Sequence, residues 1–194
     1  AHMAWNGSNG LFADDPAYVS YTSFLNTGTE DAMRDFMVSR AFFPESVRLW
    51  TFGSARHASD DGWIASVGRL QAKTGALALT ASHQHIELLS PADQILRTPR
   101  LKTLGLIIPE TASTSIAQLT VAAQRAPETE WQVLSQITTP KAMPFVDGFV
   151  RLDIPLLWPE DWIKKDVIAE RLRLNIELQT PTETLTIHRI ALDP

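Results

Sequence analysis

From Val167 to Leu178 the chain alternates so regularly that few folds remain open to it. Leu172, Leu174, Ile176 and Leu178 fall on one side of an extended chain and Arg171, Arg173, Asn175 and Glu177 on the other. That period of two is what a strand with one buried and one wet face requires. On a helix the same set would be scattered around the circumference. A second run, Leu185 to Leu192, follows across Thr180-Pro181-Thr182 and alternates similarly, with one slip near Arg189 that a bulge absorbs. The two runs are expected to face each other as a strand pair, with the rest of the chain adding strands to that frame.

Upstream, the same period holds from Pro44 onward. Val47 to Phe52 alternates, Gly53 to Gly62 reads as a polar loop, and strand candidates follow at 63–71, 76–82 and 84–89. Lys73-Thr74-Gly75 makes a hairpin turn between the first two. Further candidates run over 101–108, 116–124, 131–138 and 148–154, and prolines avoid their interiors, since proline cannot donate to a ladder. About ten strands at this spacing have the rhythm of a two-sheet sandwich. Trp50, Trp63 and Trp131 lie within these runs and are assigned to the core.

Helical period is confined to the N-terminal region. Ala1-His2-Met3 reads as a scar of tag removal and is set aside. Asp15-Pro16 supplies a cap and a first-turn proline, and Thr27-Gly28-Thr29-Glu30 fits a capping box. The helix expected over 29–42 carries Met33, Phe36, Met37 and Ala41 on one face. The expected organisation is therefore residues 1–3 as scar, 4–45 as an arm and helices packed on the sandwich, and 46–194 as the sandwich. The fold class is all-β: a jelly-roll β-sandwich with a short helical N-terminal addition.

Composition narrows the function classes. With 44% apolar and 20% charged residues over 194 positions, the chain is globular, and no run approaches the roughly 18 apolar residues of a membrane span. A net charge of −5 without a basic stripe argues against a nucleic-acid partner. There is no cysteine, which excludes disulfides, thiol nucleophiles and thiolate metal sites. Nucleophile elbows, phosphate loops and dinucleotide fingerprints are missing from the sequence, so no cofactor is expected and catalysis has no motif behind it.

Three groups of side chains could carry chemistry. His83 and His85 are two apart, so on one strand their imidazoles would share a face and could grip a metal ion. A working site would need a third ligand from His188, Glu87 or Asp153, and an exposed polar edge is the simpler use of the pair. Acids come next: Asp60, Asp61, Glu110, Glu160 and Asp161 are in loops, where glycosidic cleavage would need two carboxylates about 5–10 Å apart. Finally, two of the six tryptophans flank acids in Trp158-Pro159-Glu160-Asp161-Trp162. An indole stacks on the apolar face of a sugar while carboxylates accept its hydroxyls, so Trp158, Trp162, Glu160 and Asp161 form the expected ligand platform. Trp162 is expected to be partly exposed because charged neighbours surround it.

From Asp61 onward the chain resembles jelly-roll domains related to carbohydrate-binding modules, often attached to bacterial envelope proteins. The carrying segments include Asp61-Gly62-Trp63, Thr74 to Leu79, Leu88-Leu89-Ser90-Pro91, Leu104 to Ile108, Ala117 to Val121, Arg171 to Leu174 and Leu185 to Leu192. The resemblance implies the sandwich fold and glycan binding. The expected function is thus a non-catalytic sensory or accessory domain of a larger envelope protein, periplasmic or extracellular. It would bind a glycan or envelope component beside other domains of the parent chain. The alternatives are a metal-dependent or glycan-cleaving β-sandwich enzyme, and a protein–protein interaction domain of an envelope assembly that docks through residues 16–42.

Overall fold

A computed structural model describes residues 48–54, 57–92, 96–97, 100–125, 130–146, 148–180 and 184–194. The arm and helices expected over residues 4–45 lie outside the described residues. What is described is mostly β-structure, antiparallel throughout, in two principal sheets packed as a sandwich.

Numbered along the chain, the six-stranded sheet centres on β14 (Ile168–Leu178). One side of β14 holds β10 (Ile116–Arg125) and then β11 (Gln132–Thr138); the other holds β7 (His85–Leu89) and then β4 (Ile64–Val67). The short β8 (Leu96–Arg97) pairs with the first residues of β14. The opposing five-stranded sheet runs β1 (Arg48–Trp50), β16 (Arg189–Asp193), β9 (Thr103–Pro109), β13 (Phe149–Pro155) and β12 (Ala142–Val146). A three-stranded sheet of β15 (Thr184–Ile187), β6 (Ala76–Thr80) and β5 (Arg69–Lys73) adds Leu185, Ile187, Leu77 and Leu79 to the same core. The pair β2 (Gly53–Ser54) and β3 (His57–Ala58) is small and peripheral to this frame. The one α-helix among the described residues is α1 (Glu160–Lys164).

The alternation in β14 works as its sequence requires. Leu172, Leu174 and Ile176 are fully buried against β9, β13 and β16 residues such as Leu106, Leu152 and Ile190, while Arg171, Arg173 and Asn175 turn away from the core. Trp50 and Trp63 meet edge to face with centroids 5.3 Å apart, an arrangement that suits the ring quadrupoles. Both are buried, as their strand positions led one to expect. The hairpin at Lys73 is also present, with Lys73 opposite Ala76 and Gly75 at a positive φ of 67°.

The closing strand pair is a correction. The runs on either side of Thr180-Pro181-Thr182 do not face each other: β14 is already flanked by β10 and β7 and has no free edge along most of its length. The second run instead divides at His188. β15 joins β6, with Leu185 opposite Leu79, and β16 inserts between β1 and β9. Pro144 is a second correction, since it lies inside β12 rather than outside strands. β12 is the edge strand of its sheet, and its pairing with β13 slips between Pro144 and Val146, which is where a ladder tolerates proline.

Where the chain leaves the six-stranded sheet after β4 for β5, Gly68 takes a φ of +86°, and a Cβ there would lie 2.6 Å from the carbonyl oxygen of Thr80. Gly148 has a similar φ of +79° but open space around it. Gly68→Ala should therefore cost about 2 kcal/mol or more, combining left-handed strain with a backbone clash, and Gly148→Ala only about 1 kcal/mol from strain. Urea unfolding of the two variants checks this; equal losses would show that the contact with Thr80 does not control the turn.

Candidate functional site

Because β14 has its core side chains at even positions from Leu172 to Leu178, its odd positions from Arg171 to Glu177 stand on the outer face of the six-stranded sheet, and the register places their neighbours. Ala122 on β10 lies opposite Arg173, Thr120 opposite Asn175 and Gln118 opposite Glu177. On the other side Leu89 lies opposite Arg173, Glu87 opposite Asn175 and His85 opposite Glu177. One strand further out, Val133 faces Ala122 and Gln136 faces Thr120. The middle of the face is thus polar, with small side chains at its floor.

At one side of this face stands Trp131, immediately before β11. Its indole is part-buried, and the Arg173 guanidinium lies over the ring at 4.7 Å from the centroid. Arg173 leans the other way toward Glu87, whose Oε2 is 3.8 Å from its Nε, close enough for an ion pair and too far for a hydrogen bond. Glu87 is held in turn by Ser66, whose hydroxyl donates to Oε1 at 2.5 Å. Arg171 donates through Nε to the Ser90 carbonyl at 2.9 Å. Two polar atoms here are buried without a hydrogen-bond partner, Arg173 Nε and Asn175 Oδ1. A buried group left in that condition costs about 1–3 kcal/mol.

Trp131 was assigned to the core from its strand run, and the structure corrects this. The run really begins at Gln132, and a bulge between Val121 and Ala122 in the β10–β11 pairing changes which positions of β11 face outward. The usable signal was the alternation of β10 itself, with Thr120 and Gln124 outward.

The partial exposure expected of Trp162 is also corrected, and Trp158 is buried beside it. Both indoles are buried, at 9% and 6% exposure, stacked with centroids 6.1 Å apart and 27° between planes. Trp158 Nε1 donates to the Leu101 carbonyl at 2.5 Å, which satisfies its polar atom inside the core. Trp162 avoids burying its charged neighbours because Pro159 starts α1: within one turn Glu160, Asp161, Lys164 and Lys165 point outward while the indole points in. Glu160 pairs with Lys164 at 2.6 Å on the exposed side.

The histidines do not share a strand. His83 is in the turn before β7 with a φ of 51°, and His85 begins the strand, so the same-face relation of two strand residues is lost. Among the described residues no group of three or more histidines and acids is placed to hold a metal ion. His188 sits at the break between β15 and β16, edge-on to Phe149 at 4.6 Å between centroids; burial and the adjacent Arg189 push it below the usual histidine range. The acids at the Asp60 turn are structural. Asp61 accepts from the Thr51 and Phe52 amides at 3.0 and 2.7 Å, and Asp60 accepts from the Gly62 amide at 2.9 Å. Glu110 borders a cleft of about 290 Å³ lined also by Pro144, Phe145, Val146 and Phe149.

Trp162→Ala should lower stability by about 3 kcal/mol or more, as for other large buried aromatics. Chemical denaturation of the variant is the measurement. A loss below about 1 kcal/mol would mean that the indole contributes little to packing and would return it to the surface candidates.

No family model matches the chain, and no curated protein matches it. The chain is structurally similar to carbohydrate-binding modules at low sequence identity. The xylan-binding module CBM15 aligns with a TM-score of 0.49 and 13% identity over 69% of this chain and 91% of that one. CBM86, a low affinity xylan binding module from Roseburia intestinalis, gives 0.48 and 7% over 75% and 93%. A CBM29-2 mutant complexed with mannohexaose gives 0.42 and 11% over 73% and 87%.

Proposed function

We propose that the chain is a non-catalytic glycan-binding module of jelly-roll type, holding a polysaccharide segment on the outer face of its six-stranded sheet. The observation that carries this is the cluster of Trp131, Arg173 and Asn175. An indole backed by a guanidinium offers an apolar plane for one pyranose. Beside it, Arg173 Nε and Asn175 Oδ1 are buried without a hydrogen-bond partner, and rotation of either side chain would bring a donor or an acceptor to a hydroxyl. Glu87, held by Ser66, and Gln136 and Thr120 extend the polar floor. A face of this kind binds by stacking and hydrogen bonds, without a nucleophile or a metal. In this reading the module is an accessory or sensory domain of a larger envelope protein, working in the periplasm or outside the cell.

Xylan and mannan fragments are the first ligands to titrate, being those named for the modules above. Trp131→Ala should weaken glycan binding about tenfold or more, equivalent to about 1.4 kcal/mol, while leaving the fold intact because the indole is only part-buried. Calorimetric titration with parallel thermal melts checks it. Affinity unchanged in both Trp131→Ala and Arg173→Ala would remove this face as the site.

A further inference from the structure

The polar face that carries Trp131 is uneven in charge, and the unevenness runs along β14. Arg171 and Arg173, two residues apart, stand together toward the start of the strand, at the end next to Trp131. Glu177 lies toward the other end, opposite His85 and roughly 20 Å of strand from Arg171. Gln132 pairs with Ala123, so Trp131 comes next to Gln124, and Gln124 pairs with Arg171. One row of the sheet thus runs from an indole across an amide to a guanidinium.

The two guanidiniums are not engaged alike. Arg173 lies over the indole and approaches Glu87, a carboxylate that Ser66 already holds. Arg171 is part-buried and anchored: its Nε donates to the carbonyl of Ser90, a fully buried residue whose Oγ accepts from the Leu172 amide. Among the described residues nothing accepts from the two terminal nitrogens of Arg171, and no carboxylate pairs with it, its chain neighbour Glu170 included. A guanidinium held at Nε and open at its terminal pair presents the planar fork that matches a carboxylate with two parallel bonds. Sugar hydroxyls are served by uncharged amides such as Gln124, whereas a fixed cation gains most from an anion.

We propose that Arg171, with Arg173 beside it, receives the carboxylate of a uronic acid residue in a glycan that stacks a ring on Trp131. The inference rests on the glycan-binding reading of this face and deepens it by naming an acidic glycan as the ligand class. Trp131 supplies the apolar plane, Arg173 backs that plane and adds positive charge, and Arg171 reads the anion. The carboxylate belongs either to a side group on a neutral main chain or to the main chain itself, and the choice of probes separates the two.

Calorimetric titration of the full chain with two acidic probes, each paired with its carboxyl-reduced twin, tests this. The probes are a xylan fragment bearing glucuronic acid side groups and an oligogalacturonate. At least one should bind about tenfold or more tightly than its twin, the gain expected of one charge-assisted contact. Preference confined to the xylan fragment assigns the carboxylate to a side group, and preference for the oligogalacturonate assigns it to the main chain. Arg171→Gln should bring the acidic probe and its twin to equal affinity, a ratio taken within one variant and so insensitive to a general weakening of sugar binding. If Arg171→Gln fails to fold, Arg171→Lys decides, since it keeps the charge without the fork: a reduced ratio supports the proposal and an unchanged one overturns it. A preference that survives in Arg171→Gln likewise overturns it. Equal affinity of probe and twin in the unsubstituted protein, with the reduced xylan fragment still bound, overturns the acidic ligand and leaves the glycan reading standing. Absence of binding to all four molecules removes both.

Discussion

The structure depends on the two-sided burial of β14. Eleven residues long, this strand is paired with β10 along one side and with β7 and β8 along the other, so its backbone groups are satisfied within the sheet. From Arg171 to Leu178 its even positions supply the middle of the core and its odd positions the middle of the candidate site. A one-residue slip in register would exchange the two, placing Arg171, Arg173 and Asn175 among leucines. The cost of burying two guanidiniums without partners makes such a slip prohibitive. Fold and site are therefore fixed by one alternation.

That alternation is a local property, and local properties were what the sequence disclosed. Strand positions at 76–80, 103–109, 116–125, 132–138 and 149–155 fall within a residue or two of the periodic runs. Pairing is not local. Whether β15 joins β14 or β6 depends on which edges other strands have already taken, and nothing between Thr180 and Leu185 encodes that. The break at His188 has the same origin. The slip in hydrophobic order near Arg189 was visible, but its meaning, a passage from one sheet to another, required knowing that β9 had an edge open for β16.

The candidate site was harder to read for a specific reason. Tryptophan is informative only once its side of the strand is known, and a bulge changes sides without changing composition. In the β10–β11 pairing the irregularity next to Ala122 sits between Ser135 and Val133, so counting alternation back from Ile137 does not settle the direction of Trp131. The opposite error arose at Trp162. Charged neighbours on both sides argue for exposure in an irregular loop, but the helical turn of α1 separates them by direction, with Trp162 inward and Glu160, Asp161, Lys164 and Lys165 outward. α1 has five residues, too few to leave a periodic signature.

The two outer faces show how a sandwich can separate stability from recognition. On the five-stranded sheet the outward positions are filled as if they were interior. Arg151 is ion-paired to both Asp153 and Asp193, its guanidinium lies over Gly105, where any Cβ would collide with it, and the two carboxylates outweigh burial in keeping its charge favourable. Arg151, Asp153 and Asp193 pair among themselves there, and beside them Leu49, Ile107 and Ala191 are buried. On the six-stranded sheet the polar groups are only partly matched: Glu87 has Ser66, but its approach to Arg173 is long, and Asn175 Oδ1 has no hydrogen-bond partner. Chemistry of the same kind, guanidinium beside carboxylate on a strand exterior, is thus closed on one face and left open on the other. Unmatched polar groups of this kind cost stability in the folded protein. On the glycan-binding proposal, a ligand completing those contacts would regain that free energy as affinity, which is the physical reason for placing recognition on the face whose hydrogen bonds are unfinished.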